Sequence, residues 1–438
     1  MITQLYADEI HRQADDNPTI YGDVDFDVLP ERFDREATVD DERFEPIRRR
    51  VARVIDDPAL MDLVRNYTMK GDRVADAYAA LIPEYGFREL VDMLERAWAD
   101  GVEAVPDAPA ELAAFIGSME LTPDWVDMEL VERGAAAERI PMATATPFAI
   151  RGAFLATFLN KYAALPMTMT GTLSDEAAAK RVFETASFFT ATTLPGALRR
   201  NGRGFLAAAK VRLMHSMVRF HLMQSGEWDV ATYGIPIPQI DQMPAGQIGV
   251  YFLSSDALTN GQTEFTDEQR AVVELSRYRC FLLGLPAELL GETPQEVVDL
   301  MTARHVSLRE GFDDEICGSL VRGALAAELF DRSTMRGRLH SWLEGGFSRL
   351  ILTKQFLGGD EELAQSVGID FDTNHKVAAG CAAAAVAATT AFYRIGPKVP
   401  YAADYVDARL NRKLARLLDS YGHADFVTDP DRYRLSSP

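Results

Sequence analysis

One histidine with an arginine on either side stands out as a group that could hold a ligand. Residues 205–224 read FLAAAKVRLMHSMVRFHLMQ, in which apolar residues recur at the spacing of a helix. His215 lies near the centre, with Arg212 nearly one turn before it and Arg219 about one turn after it. An imidazole among apolar residues and two guanidiniums suits an apolar ligand that carries negative charge.

Haem is a ligand of this kind. Its iron takes an imidazole, its macrocycle needs apolar walls, and its propionates accept bidentate hydrogen bonds from arginine. The pattern also allows an ordinary alternative, in which His215 is a hydrogen-bonded core histidine and Arg212 and Arg219 are surface residues with packed stems. The residues of this helix alone leave both interpretations open.

A second helix, predicted from Asp175 to Thr193 with Ser174 as its cap, precedes the first. It carries Arg181, Glu184 and Thr185, which share one face because positions i, i+3 and i+4 are neighbours on a helix. These side chains offer one cation, one carboxylate and one hydroxyl to a common site.

The order and spacing of these elements resemble the rubber oxygenase family, which comprises the latex-clearing proteins and the related MpaB-type oxygenases. The elements are Arg-x-x-x-Thr from Arg181, Gly-Arg-Gly from Gly202, Arg-x-x-His-x-x-x-Arg from Arg212, and Gly-x-Pro-Ile-x-Gln-x-Asp from Gly234. The resemblance covers about residues 149–356, and its specificity comes from the order of the elements.

The resemblance implies a globin-like helical core that holds haem b, with His215 as the proximal iron ligand. It implies that Arg181 and Thr185 line the distal side and that Arg212 and Arg219 bind the propionates. In this family the ferrous haem binds O₂ and cleaves an isoprenoid carbon–carbon double bond into two carbonyl products. The expected function is therefore that of a haem-dependent oxygenase or dioxygenase.

The sequence departs from the family pattern on the distal side. Rubber oxygenases have a lysine three residues after the distal arginine, where this chain has Glu184, and residues 152–174 contain no acid to match their distal base. Glu184 either handles the proton in place of that base or pairs with Arg181. These departures favour the alternative function, a haem- or lipophile-binding carrier or sensor without turnover.

The sequence contains signals for the starts of helices. Thr293-Pro-Gln-Glu and Thr266 with Gln269 are capping-box patterns, and alternating β-branched runs are few, so the sequence predicts an all-α protein. We expect one large domain, because no linker divides the chain. Within it we distinguish an acidic N-terminal extension with the first helices (1–100), a haem-binding oxygenase-like core (101–356) and C-terminal helices (357–438).

Composition and charge exclude several classes of protein. The 438 residues include 45 basic and 66 acidic side chains, a net charge of −21 that opposes nucleic acids and anionic membranes. No di-iron, hydrolase or dinucleotide motif is present. The three cysteines are predicted to be buried thiols, and residues 377–393 to form a helix packed inside the protein and not a transmembrane span.

The N-terminal sequence has no secretory signal pattern. We therefore expect a cytoplasmic enzyme that acts with O₂ on a small lipophilic molecule, such as a prenyl chain, a terpenoid or an unsaturated acyl chain. The sequence leaves its oligomeric state open.

Overall fold

The computed structural model describes residues 2–170 and 175–422. These residues form α-helices joined by loops and short 3₁₀ or π segments, and they contain no strand, only one isolated bridge between Phe33 and Leu308. The all-α prediction is therefore confirmed, whereas the globin-like detail stays a prediction. The α-helices are α1 (Ile2–Asp16), α2 (Pro18–Tyr21), α3 (Arg48–Ile55), α4 (Pro58–Tyr67), α5 (Arg73–Ala79), α6 (Ile82–Tyr85), α7 (Phe87–Asp100), α8 (Ala110–Glu120), α9 (Met128–Thr144), α10 (Thr146–Ala156), α11 (Lys161–Met169), α12 (Asp175–Ala191), α13 (Arg203–Gln224), α14 (Val230–Tyr233), α15 (Gln239–Thr259), α16 (Asp267–Leu282), α17 (Pro294–Ser307), α18 (Ser319–Ala326), α19 (Met335–Ile351), α20 (Glu361–Ser366), α21 (Thr373–Ile395) and α22 (Ala403–Tyr421).

Both predicted capping boxes are present. The Thr266 side chain accepts from the backbone N–H of Gln269 at the start of α16, and Thr293 does the same with Glu296 at the start of α17. In each case the Gln or Glu side chain accepts a hydrogen bond from the backbone N–H of the cap threonine. Two otherwise unpaired donors at the start of each helix are thus satisfied. The predicted cap of α12, Ser174, lies outside the described residues.

The chain divides into two compact units, Met1–Gly134 with Leu198–Glu310 and Ala135–Ala197 with Gly311–Pro438. The first unit contains α13 together with α1–α8 and α14–α17. The second contains α10–α12 and α18–α22. The single domain with internal boundaries at 100 and 356 stays a prediction, since contacts within a fold do not tell whether its parts fold alone.

The second unit is built around α19, which packs against α10 and α21. Close approach to α10 depends on Gly152, because a Cβ there would lie 2.3 Å from the backbone oxygen of Ser348. Beside this contact, Phe154 and Phe158 meet edge to face, with ring centroids 4.8 Å apart, in the buried apolar cluster of the unit.

Helix α21 contains the alanine-rich residues 377–393, as predicted, but tight packing inside the protein is wrong. Only Ala378, Ala379, Ala382 and Tyr393 of this helix are buried. Alanine favours a helix in any environment, so its abundance does not report burial. Thr373–Lys398 is long and apolar enough to cross a membrane by length and composition, and 22% of its apolar window is buried.

The proline-containing segment from Tyr233 to Pro244 is only partly irregular, because α15 already begins at Gln239 and includes Pro244. A proline near the start of a helix removes only one intrahelical bond, and the rest of this 21-residue helix compensates.

The prediction that all three cysteines are buried is wrong for one of them. Cys280 and Cys317 are buried, but Cys381 is exposed on α21.

Candidate functional site

Helix α13, which carries three of the predicted site residues, lies inside the first unit. Of its 22 residues, 14 are buried. Between Val211 and Phe220 every residue is buried except Met214 and His215, which are partly exposed. A charged group in such a helix must find a partner, because an unpaired buried charge is very costly.

Arg212 finds its partner in Asp72, the N-cap residue of α5. Its Nε and Nη2 donate to the two carboxylate oxygens over 2.6 and 2.9 Å, and its Nη1 donates to Ser118 Oγ over 3.0 Å. Burial would raise the pKa of Asp72, but the charge and hydrogen bonds of Arg212 hold that pKa below its usual value. The pair is thus ionic and bidentate.

Gly284 makes room for this ion pair. It follows α16 with φ at +87°, the left-handed region that glycine adopts at low cost. A Cβ on Gly284 would lie 2.2 Å from Asp72 Oδ2 and 2.6 Å from Arg212 Nε. The end of α16 therefore closes directly over the pair.

Arg219 is completely buried and pairs with Asp76 of α5. Asp76 also accepts a hydrogen bond of 2.5 Å from the hydroxyl of Tyr21, which is buried as well. Burial raises the pKa of Asp76, and the charge of Arg219 acts against that rise. Two ion pairs one turn apart on α5 thus fix α13 in the first unit.

The remaining donors of Arg219 hold the loop before α15. Its Nε donates to the Pro236 carbonyl over 3.0 Å and its Nη2 to the Ile237 carbonyl over 2.7 Å. Ile237 has a φ of +49°, which is strained for a β-branched residue and persists only where the surroundings impose it. Arg219 supplies that constraint and so sets where α15 begins.

His215 is joined to α15 by a short chain of hydrogen bonds. Its Nδ1 lies 2.9 Å from Gln242 Oε1, Gln242 Nε2 donates to Gln239 Oε1 over 3.3 Å, and Gln239 Nε2 donates to the carbonyl of Gly71 over 3.4 Å. The backbone N–H of Gln239 donates to the Lys70 carbonyl over 2.8 Å, which anchors this amide.

The direction of this chain fixes the protonation of the imidazole. A backbone carbonyl can only accept, so Gln239 must present its amino group to Gly71 and its oxygen to Gln242. By the same rule Gln242 presents its oxygen to His215, which must then carry its proton on Nδ1. The lone pair of the neutral ring is consequently on Nε2.

This is the arrangement that a metal-binding imidazole requires. A histidine that ligates a metal through one nitrogen donates its other N–H to an acceptor, which fixes the ring and increases its basicity. The donor set, one oriented and partly exposed imidazole on a buried helix, fits the proximal side of a haem. Cys280 lies in the first unit but does not compete for this role, because burial raises the pKa of its thiol to about 12.

Asp241, the last residue of the motif that begins at Gly234, holds the start of α15 from the other side. It accepts from Arg32 Nη2 over 2.5 Å and from Arg304 Nη2 over 3.0 Å. Burial would raise the pKa of Asp241, but the two arginines lower it below its usual value. The motif thus serves to place Gln239 and Gln242 beneath His215.

The other three predicted site residues lie on α12 in the second unit. Glu184 is buried, with one carboxylate oxygen 3.7 Å from Arg181 Nη1 and the other 3.7 Å from Lys180 Nζ. Thr185 Oγ1 donates to the carbonyl of Arg181 over 2.9 Å, a bond within the helix. The predicted pairing of Glu184 with Arg181 is therefore observed, and a proton-handling role stays a prediction.

A second group of possible metal ligands lies at the start of α21. One ligand atom each from Asp370, Asp372 and His375 lies within 4.8 Å of the others. Asp372 caps the helix by accepting from the backbone N–H of His375 over 2.8 Å. His375 lies in the first turn of α21. Both aspartates are exposed and the cap explains their contacts, so we assign no ion here.

Comparison with known proteins decides the family. The family model described as ER-bound oxygenase mpaB/B'/Rubber oxygenase, catalytic domain, matches residues 141–389, more than half of the chain. The chain belongs to this family. The match to the mpaB/rubber oxygenase family includes α12 and α13 and so all six predicted site residues.

A solved structure of the latex clearing protein in its closed state has a similar fold. It is 22% identical in sequence, with a TM-score of 0.54, over 80% of this chain and 91% of that one. At this identity the likeness shows the fold alone. No curated protein matches the chain.

Three important residues of the first unit were not predicted. Asp72 and Asp76 take the hydrogen bonds of Arg212 and Arg219, and Gln242 orients His215. The sequence carries a signal for the aspartates, because arginines in an apolar helix need buried acids. Propionate binding by Arg212 and Arg219 stays a prediction, and their observed contacts favour a positioning role.

Proposed function

We propose that this oxygenase-family member is a haem b-dependent enzyme that cleaves a carbon–carbon double bond of a lipophilic, isoprenoid or otherwise unsaturated molecule. The observation that carries the proposal is the hydrogen-bond chain from Gly71 through Gln239 and Gln242, which keeps the proton on Nδ1 of His215. Family membership supports the oxygenase chemistry. A cytoplasmic location is part of the proposal.

The chain's own residues would prepare the site in three ways. His215 would hold the haem iron through Nε2, and Gln242 would keep the ring in the productive tautomer. Arg212 and Arg219 would fix α13 and α15 through their aspartates, so that the imidazole does not move. Bound haem would supply the O₂ chemistry, and Glu184 is the candidate in the second unit for moving a proton.

The experiment that tests this function combines a spectrum with oxygen uptake. We expect the purified protein, supplied with haem, to show a Soret band and, after reduction with dithionite and its removal, to consume O₂ when an isoprenoid substrate is added. The products should carry two new carbonyl groups. A Soret band without substrate-dependent O₂ consumption would instead support a haem-binding carrier or sensor.

One observation favours that alternative. Glu184 is engaged by Lys180 and Arg181 in the second unit, which is what a structural carboxylate on a helix does. A protein without a proton-handling residue would still bind haem and a lipophilic molecule. The substitution of Glu184 therefore tests whether this carboxylate is catalytic or structural.

Replacing Glu184 by glutamine is expected to lower turnover by about 10²–10⁴-fold if this carboxylate moves the proton, the range of general acid–base catalysis. We expect a high-spin ferric spectrum for both the wild type and this variant, because position 184 has no lysine that could serve as a sixth iron ligand. The control is Glu362→Gln, an exposed acid on α20. Unchanged turnover in E184Q would remove Glu184 from the catalytic residues and leave its ion pairs as its role.

Replacing Gln242 by leucine is expected to weaken haem binding by about 10–100-fold, the effect of removing the acceptor behind a ligating histidine. Haem titration followed at the Soret band measures it. Gln247→Leu is the matched control, because Gln247 lies on the same helix and donates to the Leu289 carbonyl over 2.7 Å. Equal haem affinity in both variants would show that Gln242 does not orient the ligand.

A further inference from the structure

The second unit contains a cavity that the proposed reaction does not use. Its volume is about 310 Å³, far above the roughly 10–15 Å³ that admits one water molecule. Helix α19 supplies most of its wall through Arg338, Trp342 and Arg349, which share one face of that helix. Arg151 of α10 and Arg332, just before α19, complete its set of arginines.

These four guanidiniums meet one carboxylate in the lining, that of Glu344. Glu344 is taken by Arg151, whose Nε donates to it over 2.9 Å, and by the hydroxyl of Ser348. Arg332 has only a loose pair with Glu328, 3.7 Å apart, in which both side chains are more than half exposed. A chain with a net charge of −21 has thus gathered positive charge at one place.

Arg338 and Arg349 have no carboxylate within 4 Å among residues 2–170 and 175–422. Arg349 donates instead to two backbone carbonyls, from Nε to Asp370 over 2.8 Å and from Nη1 to Gly345 over 2.9 Å. Burial and the charge of Arg151 lower the pKa of Arg349, although Glu344, Asp370 and Asp372 act against this. The lining thus carries four guanidiniums against the single carboxylate of Glu344.

Arg151 adds a donor that its neighbours leave unused. The residue is 4% exposed, and its Nη1 donates to the carbonyls of Ala324 and Leu325. Its Nη2 makes no hydrogen bond to any residue in the described part of the chain. Nη2 is not enclosed by the protein, so it is available to an acceptor in the cavity.

We propose that this cavity binds a phosphate or diphosphate group, either free or as the head of a lipophilic phosphate. Guanidiniums bind such oxoanions through paired N–H donors. Four guanidiniums and one carboxylate give the lining a net positive charge of more than one, which suits the multiple negative charge of a diphosphate. The donors come from Arg151, Arg338 and Arg349, with Trp342 as a wall. The site belongs to the second unit and requires no haem.

The test is calorimetric titration of the full chain at low ionic strength with pyrophosphate and with geranyl diphosphate, and sedimentation with vesicles that contain phosphatidic acid. We expect saturable binding of at least one of these. Arg338→Gln should weaken it at least tenfold. Arg336→Gln, which changes another exposed arginine of α19 outside the cavity, should weaken it less than twofold. Arg338 is exposed, so its loss should leave the fold intact, which circular dichroism checks.

The outcomes separate the sources of the anion. Binding of pyrophosphate that depends on Arg338 supports a site for the free anion. Binding confined to geranyl diphosphate or vesicles, with the same dependence, supports a site for a lipophilic phosphate. Absence of saturable binding, or equal weakening by Arg338→Gln and Arg336→Gln, would overturn the proposal. Any binding would then be nonspecific attraction of the anion to positive charge on the surface.

Discussion

Replacing His215 by alanine is expected to abolish the Soret band of the haem-supplied protein. Iron loses its proposed ligand, and no other histidine of the described chain shares the hydrogen-bond chain through Gln242. The apolar contacts of a haem remain, but without the iron–nitrogen bond its affinity should fall below what gel filtration retains. Absorbance at the Soret maximum per protein after gel filtration measures the effect.

His221→Ala is the matched control for this variant. His221 lies on the same helix six residues later, so it points to a different side of α13 than His215. We expect the control to retain the full band and the wild-type circular dichroism. A Soret band that survives in H215A but disappears in H221A would reverse the ligand assignment, and a band retained in both would refute it.

Replacing Arg219 by methionine is expected to lower the free energy of unfolding by about 3–5 kcal/mol, the typical cost of leaving one partner of a buried ion pair alone. Asp76 and Arg219 are both fully buried, so water cannot take the place of the lost guanidinium. The carbonyls of Pro236 and Ile237 lose their donor as well. Urea unfolding at neutral pH measures the change.

Arg270→Met is the control in the same unit, because Arg270 and Glu264 form an exposed pair 3.8 Å apart. Exposed pairs contribute about 0–1 kcal/mol. If Arg219→Met costs no more than Arg270→Met, the buried pair does not stabilise the first unit. The double variant Arg219→Met with Asp76→Asn should recover part of the loss, since no unpaired charge then remains.

The pH dependence of the Arg219→Met variant has a defined sign. Burial already raises the pKa of Asp76 in the folded protein, and Arg219 opposes that rise. Without Arg219 the folded-state pKa should rise further, so the native state binds more protons than the unfolded state between the two pKa values. The free energy of unfolding should therefore fall as the pH increases through that window, and the difference from wild type should be smallest at acidic pH.

Much of the local structure could be read from the sequence. The threonine caps at Thr266 and Thr293, the extent of α13 and the all-α class follow from interactions within four residues, which a sequence displays directly. The family resemblance could be seen too, because the order of its motifs along the chain is a property of the sequence. The proposal that His215 is the central residue of the site came from the same pattern.

The partners of these residues depended on the tertiary structure. Arg212 and Arg219 lie 140 and 143 positions from Asp72 and Asp76, and Gln242 lies 27 positions from His215. Helical periodicity gives the face on which a side chain lies, but what packs against that face is decided by the path of the whole chain. For that reason the sequence pointed to Arg212 and Arg219 but not to the carboxylates with which the fold pairs them.

The tertiary structure also determined how much of the alanine-rich helix is buried and where the arginine-lined cavity lies. Residues 377–393 form a helix because alanine favours one, yet how much of it is covered depends on α19 and α22. Arg151 and Arg338 are far apart along the chain and are ordinary basic residues there. The helices that bring them to one cavity turn them into a candidate site. The sequence thus determined the helices and the place of His215 within α13, whereas long-range packing determined which charges meet.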